Sequence, residues 1–531
     1  MKVLFLAIAS LLLFSCSQNK SDIDKALQSI NEAELETIIK TLASDEFEGR
    51  APYSEGERKT INYLKNKFEN LGLKPVNGDS YFQEIELVEL ISSAPSIMTI
   101  SGEKGKVELD HANEFVAQTR HITDKIIVQN AEFVFAGYGI VAPEYNWNDY
   151  EHLDVKDKFV IVMVNDPGYH SQDSTLFTGN AMTYYGRWRY KYEEAARQGA
   201  AGIFVVHETG AAGYPWTVVR NGWTGPEFYL KTENGNKDRA EIEGWFNLEK
   251  TREIFRLAGY DFDAELDKAK TPGYKGLELG LKSSLSISNQ IIESTSNNVL
   301  AKLEGSERPD EYLVYMGHWD HLGIDTTLEG DQIYNGARDN AAGIASILEI
   351  AEAFTTLPEK PKRSIIFFAT AVEEQGLLGS SYYVKNPLVP LNKTVAAINI
   401  DGPNVFGRTK DITLVGYGQS ELDKYVKKAA REHGRYIHAD PTPEKGFYYR
   451  SDHFTFALAG VPAIYLKAGI KHVSKPESYM QDQLAKWTAE YYHLTNDEYD
   501  PEWWNLAGLV EPRRIGGRYP TSNGNWSRIE H

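Results

Sequence analysis

The stretch Tyr312-Leu-Val-Tyr-Met-Gly-His-Trp-Asp-His-Leu-Gly323 decides how this chain is read, because it delivers His318 and Asp320 at the end of an apolar run. Leu313 to Met316 are apolar or aromatic, and Gly317 and Gly323 bound the segment beyond them, the pattern of a buried strand entering a loop. In an α/β sheet the ligand crevice lies beyond the carboxyl ends of the strands, so His318 and Asp320 fall where chemistry is usually placed. A neutral imidazole binds zinc well when a carboxylate holds its other nitrogen, and His-x-Asp spacing makes that possible. The same pattern occurs in ordinary loops, so its meaning depends on partners elsewhere in the chain.

Those partners lie downstream. From Val299 onward, strand-like apolar runs alternate with helical patterns, the signature of an α/β sheet. Strands are predicted at residues 364–369, 396–400 and 461–466. From Asn340 to Phe354 the residues Ile344, Ile347, Leu348 and Ala351 share one face, which predicts an amphipathic helix opening just after Asp339. Glu373 and Glu374 stand just past Ile365-Ile-Phe-Phe368, and Asp401 directly follows Ala396-Ala-Ile-Asn-Ile400. Acids placed this way converge on one crevice, where bare charge is costly without a cation. Histidine and carboxylate ligands without cysteine suit zinc or another first-row divalent ion, and an aspartate bridging two such ions is a common device for hydrolysis. In the pair Glu373-Glu374, one carboxylate can bind metal while its neighbour takes a proton from water.

The chain has 531 residues, 42% hydrophobic and 25% charged, enough for two or three globular domains. A formal charge of -19 argues against a nucleic-acid partner, since phosphate binding needs a basic face. Residues 1–15 carry one cationic residue and then a short apolar core, which predicts an export signal. Leu13-Phe-Ser-Cys16 resembles a bacterial lipobox, so Cys16 is the expected lipidation site, anchoring an exported lipoprotein in the periplasm or at the cell surface. It is the only cysteine, leaving no disulfide and no thiolate metal ligand.

Between Ala33 and Leu73 the apolar spacing predicts helices stopping near Gly72, interrupted by a polar loop, Leu42 to Pro52, to which no chemistry is assigned. From about residue 130 to 285 the texture changes to short strands and turns. Within it, a helix from Tyr190 to Gln198 stops at Gly199 before the strand-like Ala200 to Val206. This region is read as an inserted domain. The expected organisation is residues 16–130 as the N-terminal part of a catalytic domain, 131–285 as the insertion, and 286–531 as the main catalytic part.

Gly317-His-Trp-Asp320, Asn335-Gly-Ala-Arg-Asp-Asn-Ala-Ala-Gly343, Glu373-Glu-Gln-Gly-Leu-Leu-Gly-Ser380, Asn399-Ile-Asp401 and Tyr492-His493 occur in the order seen in metallopeptidase family 28. The chain resembles that family, which includes co-catalytic di-zinc aminopeptidases and glutamate carboxypeptidases, from about Glu34 to Glu511. Phe135-Ala-Gly-Tyr-Gly-Ile-Val-Ala-Pro143 and Asp154-Val-Lys-Asp-Lys-Phe-Val160 make the insertion look like a protease-associated domain. The resemblance implies a mixed-sheet α/β/α sandwich of the zinc-aminopeptidase (phosphorylase/hydrolase-like) type with a β-rich insertion. It also implies two Zn2+ ions, one held by His318 and Asp401, the other by Glu374 and His493, with Asp339 bridging them. Asp320 would orient His318, Glu373 would be the general base, and Tyr448 would donate to the oxyanion. The bond between Asp339 and Asn340 would be cis. Tyr492-His-Leu-Thr-Asn-Asp497 departs from the usual His-Thr-Pro sequence, and His321 and His453 are rival imidazoles.

The expected activity is removal of the first residue from peptide substrates. A carboxypeptidase or dipeptidase is the close rival, because Arg338 and Arg450 lie beside the motifs and arginine pairs well with a substrate carboxylate. A glutaminyl cyclase of the same fold would normally hold one zinc. A receptor-like module that has lost turnover would lack a ligand or base, and none is missing from these motifs.

Overall fold

The uninterrupted apolar runs fold as interior strands. The computed structural model describes residues 22–23 and 25–510, so the export signal, Cys16 and the tail from residue 511 lie outside the described residues. Contacts divide the chain into two units: Met1–Ile85 with Thr295–Asp440 and Arg450–His531, and Glu86–Ser294 with Pro441–Tyr449.

The first unit is built on β1 (Leu277–Leu303, its C-terminal part), β2 (Arg308–His318), β3 (Arg363–Thr370), β4 (Thr394–Asn399), β5 (Asp411–Val415), β6 (Tyr436–Ala439) and β7 (Ala463–Lys467). Neighbours follow the order β1-β3-β2-β4-β7-β5-β6. The central strands β3, β2, β4 and β7 are parallel, β1 is antiparallel to β3, and β5 is antiparallel to β7. Parallel pairing aligns the carboxyl ends of β2, β3 and β4 along one edge, and the loops leaving them build the site.

Side chains alternate across the pleat. Val314, Met316, Ile366 and Phe368 pack with Tyr383 of α4 (Leu378–Lys385) and Phe456 of α6 (His453–Leu458). On the opposite face Tyr315 and Phe367 meet Phe354 of α3 (Ala342–Thr355) and Phe68 of α2 (Glu55–Asn70). Helices therefore cover both faces, as expected for an α/β/α sandwich. The helix predicted after Asp339 forms as α3 but is not amphipathic. It is buried almost all round, because α1 (Glu32–Leu42) packs on the side turned from the sheet, where Asn31 N donates to Glu349 Oε2 at 3.1 Å. The remaining helices of this unit include α5 (Leu422–Glu432) and α7 (Tyr479–Glu490). Among the described residues no helix is long and apolar enough to cross a membrane.

The second unit is rich in strands. Lys125–Phe135, Phe159–Met163, Gly202–His207 and Ile242–Asn247 pair in parallel in that order, around the packed rings of Phe133, Phe159, Phe204 and Phe246. The predicted helix forms at Trp188–Arg197 and stops before Gly199, whose φ of 80° suits glycine, ahead of the strand. The unit opens at Glu86 rather than 131. Phe115–Gln118 pairs with Ile242–Asn247 and Gly102 with Leu281, so a boundary at 131 would cut Lys125–Phe135 and strip these ladders of their hydrogen bonds. Its other edge, Ser294, falls inside β1, later than the predicted 285. Pro441–Tyr449 joins it through Met182 N, which donates to Pro443 O at 3.1 Å.

The polar loop from Leu42 to Pro52 positions the site. Arg50 is 1% exposed with a φ of 51°. Its Nε donates to Trp319 O at 2.9 Å, Nη1 to Leu42 O at 2.7 Å and Asn335 O at 2.6 Å, and Nη2 to Gly336 O at 2.9 Å. One guanidinium thus ties the loop after β2 to the loop before α3. Gly49 must be glycine here, since a Cβ would lie 2.5 Å from Gly323 O and 2.7 Å from Tyr334 O. Arg50→Ala would leave these buried carbonyls unpaired and should cost about 3 kcal/mol or more in urea unfolding. Arg50→Lys should recover only part, because an ammonium lacks the planar fork that spans both loops. An alanine variant within about 1 kcal/mol of the parent would contradict this clamp.

Candidate metal centre

His318 ends β2, where its backbone pairs in register with Thr370 of β3. Its Nδ1 lies 3.1 Å from the carbonyl oxygen of Asp320. A carbonyl only accepts, so Nδ1 carries the proton and the Nε2 lone pair is free. Nε2 lies 3.2 Å from Asp339 Oδ1 and 3.5 Å from Asp401 Oδ1. Asp320 therefore orients His318 through its backbone rather than its carboxylate, whose Oδ1 is 4.0 Å away. That carboxylate instead accepts from the N–H groups of Glu373 at 3.1 Å and Glu374 at 3.3 Å, fixing the loop after β3. The structure thus separates the carbonyl and carboxylate roles that His-x-Asp spacing leaves indistinguishable.

Asp339 sits before α3, and its peptide bond to Asn340 is cis. Asp497 holds the segment by accepting from Arg338 N at 3.2 Å and Asp339 N at 3.0 Å. Asn340 ties it to the end of β4, donating to Ile400 O at 3.0 Å. Asp339 then turns its second oxygen, Oδ2, toward His493 Nε2 at 3.6 Å. The same His493 Nε2 lies 3.0 Å from Glu374 Oε2. Asp401 is fixed by Ser451 Oγ, which donates to Oδ2 at 2.6 Å, and by Tyr465 OH at 3.3 Å. His318, Asp339, Glu373, Glu374, Asp401 and His493 thus meet in one place, although they come from separate strand ends and loops.

The electrostatics test whether a divalent ion suits this donor set. Burial disfavours charge on the His318 imidazole, but Glu373, Asp339 and Asp401 outweigh it and raise the imidazole well above its ordinary range. His493 is pushed up to about 10 against burial by Glu374 and Asp339. Burial alone would raise Glu374, yet His493 and His321 hold it at about 2. Glu373 goes the other way, raised well above the ordinary carboxylate range by burial and by Glu374, Asp401 and Asp452, with His318 opposing. Imidazoles drawn toward imidazolium mark a cluster that demands positive charge, which a divalent cation supplies. Donor atoms of His318, Asp339 and Asp401, of His318, Glu373 and Glu374, and of His321, Asp339 and Glu374 lie within 4.8 Å of one another in each group. The residues fit zinc: nitrogen and carboxylate oxygen donors, mostly withdrawn from solvent, with His318 Nδ1, Glu374 Oε1 and Asp401 Oδ2 already hydrogen-bonded.

The other candidate residues are placed as follows. Arg338 is not available to a substrate carboxylate: its guanidinium donates to Gly402 O at 2.9 Å and Pro403 O at 3.0 Å and lies 4.1 Å over the Trp487 ring. Tyr448 lies in the short turn Phe447–Tyr449, half-buried with its ring 5.3 Å from that of Tyr449, and it clusters with the second unit. His453 is fully buried with its ring 4.9 Å from Tyr465. Arg50, Ser451 and Tyr465 escape a reading of the sequence. Nothing in their local spacing signals the contact, although Ser451 lies close after Tyr448 in the chain.

Residues 298–511 match the sequence profile of Peptidase family M28. A 169-residue stretch is 32% identical to "Aminopeptidase NAALADL1" of Mus musculus, covering 30% of this chain and 21% of that protein. A 107-residue stretch is 43% identical to "Probable zinc metalloprotease" of Pyrenophora teres f. teres, covering 19% of this chain and 22% of that protein. The chain therefore spans about a fifth of the length of these curated relatives. In fold it resembles the aminopeptidase from Aneurinibacillus sp. strain AM-1, with a TM-score of 0.52 at 17% identity over 93% of this chain and 94% of that one. The clusters of candidate metal donors found among the described residues lie within the matched segment, so it is residues 298–511 of this chain that carry the likeness to peptidase family M28.

Proposed function

We propose that this chain is a zinc-dependent exopeptidase, and specifically an aminopeptidase that works with two zinc ions. The observation that carries the reading is Asp339. Its Oδ1 faces His318 at 3.2 Å and its Oδ2 faces His493 at 3.6 Å, so one carboxylate addresses two distinct imidazole–carboxylate pairs. In this reading His318 and Asp401 hold one ion, Glu374 and His493 hold the other, and Asp339 is shared. When bound, the ions supply Lewis acidity to the scissile carbonyl and make water easier to deprotonate.

The chain's own residues supply the proton chemistry. Glu373 lies beside the ligands with Oε2 4.0 Å from His318 Nε2, and its backbone is pinned by Asp320. It takes a proton from the attacking water and returns it to the leaving amine, the exchange expected of a carboxylate whose proton affinity is raised by burial. Asp320 and Asp497 position the ligand loops. Tyr448 as oxyanion donor, the second unit as a protease-associated domain, and export as a lipoprotein anchored through Cys16 are further parts of the proposal that rest on sequence.

The engagement of Arg338 with backbone carbonyls supports the aminopeptidase over a carboxypeptidase or dipeptidase, since it removes one of the expected carboxylate receptors. On a panel of short peptides, N-acetylation should abolish turnover and C-terminal amidation should leave it. The reverse pattern would make the protein a carboxypeptidase, and inertness of the zinc-loaded protein on every end group would favour a receptor-like role. Glu373→Gln should keep its zinc content by metal analysis while turnover falls by at least about 100-fold. Zinc loss in that variant would instead assign Glu373 as the ligand. Chelation should abolish activity and zinc should restore it.

A further inference from the structure

The proposed roles leave one imidazole of the cluster unassigned. His321 is 1% exposed, and its backbone N donates to Arg50 O at 3.2 Å. A Cβ on Gly336 would lie 2.5 Å from its Cδ2 and 2.6 Å from its Cγ, so the ring is seated directly on the loop before α3. Its Nδ1 lies 2.7 Å from Glu374 Oε1. An ionised carboxylate only accepts, so Nδ1 carries the proton and donates. The other oxygen, Oε2, is the one that faces His493.

The two oxygens of Glu374 are therefore sorted by two imidazoles, whose ring centroids lie 5.8 Å apart. We infer that His321 is a positioning residue: its donated hydrogen bond keeps Oε1 out of the coordination sphere and presents Oε2 alone to the cation shared with Asp339 and His493. The inference rests on the di-zinc reading above. Its physical consequence is selectivity. A carboxylate held to one oxygen suits a small tetrahedral ion such as zinc, whereas larger ions such as calcium take both oxygens of a carboxylate. Hydrogen bonds to metal ligands of this kind are worth about 10–100-fold in affinity. No hydrogen bond or ion pair joins His321 to His318 or Asp401 among the described residues, so the first ion should feel its loss less than the second.

The test is zinc titration of the chelator-stripped full chain against a chromophoric competitor. The parent should bind two ions. His321→Leu, close in size but without a donor, should keep one tight ion and bind the other about 10–100-fold more weakly. His321→Asn, whose amide N–H can reach Oε1, should recover most of that loss. Parent-like binding by the leucine variant overturns the inference, and so does an asparagine variant as weak as the leucine one, since the effect would then not be the hydrogen bond. A parent that fails to bind two ions overturns the di-zinc reading itself, so the two failures are distinct. Should the leucine variant not fold, 15N NMR of the zinc-loaded parent decides: a protonated Nδ1 on His321 supports positioning, and a metal-bound His321 nitrogen overturns it.

Discussion

Negative charge withheld from water at the carboxyl ends of β2, β3 and β4 is the constraint on which the rest of this structure depends. Asp320, Asp339, Glu373, Glu374 and Asp497 are buried or nearly so. An isolated carboxylate in such a place would protonate, and burial does push Asp320 up to about 7. Asp401 and Glu374 share one hydrogen-bonding arrangement. Asp401 gives Oδ2 to Ser451 and Tyr465 and turns Oδ1 to His318, while Glu374 gives Oε1 to His321 and turns Oε2 to His493. Asp339 differs in facing the Nε2 atoms of two imidazoles, His318 with Oδ1 and His493 with Oδ2.

Two buried arginines beside the cluster spend their hydrogen bonds on backbone. Arg50 and Arg338 direct their N–H groups to carbonyls of the ligand loops. Their charge still acts on the acids at a distance, since Asp497, Asp320 and Asp339 raise the Arg50 guanidinium against a burial that lowers it to about 10. Direct ion pairs would occupy the carboxylate oxygens a metal needs. Pairing the arginines with backbone fixes loop geometry and leaves those oxygens facing inward.

Much of this is legible in the chain. Unbroken apolar runs predict β2, β3, β4 and β7, because a strand buried on both faces must be apolar throughout. Motif order names the acids at the strand ends. The helix after Asp339 is visible in the spacing but its environment is not: spacing alone cannot reveal that α1 covers its outer face. The contact unit opens at Glu86 rather than at 131 for a related reason. Composition locates strands, but their partners, Phe115–Gln118 with Ile242–Asn247, are chosen by long-range hydrogen bonding.

The sequence by itself determined the α/β architecture and the residue types gathered at its strand ends, since periodicity and ligand chemistry are local properties. Only the tertiary structure decided which atom of each residue does what: that Asp320 uses its carbonyl on His318 and its carboxylate on the glutamate loop, that Arg50 from a featureless loop clamps the loops after β2 and before α3, and that Arg338 is already engaged. Hydrogen-bond direction depends on angles and distances of a few tenths of an ångström between segments far apart in the chain, and no spacing along the polymer carries that information.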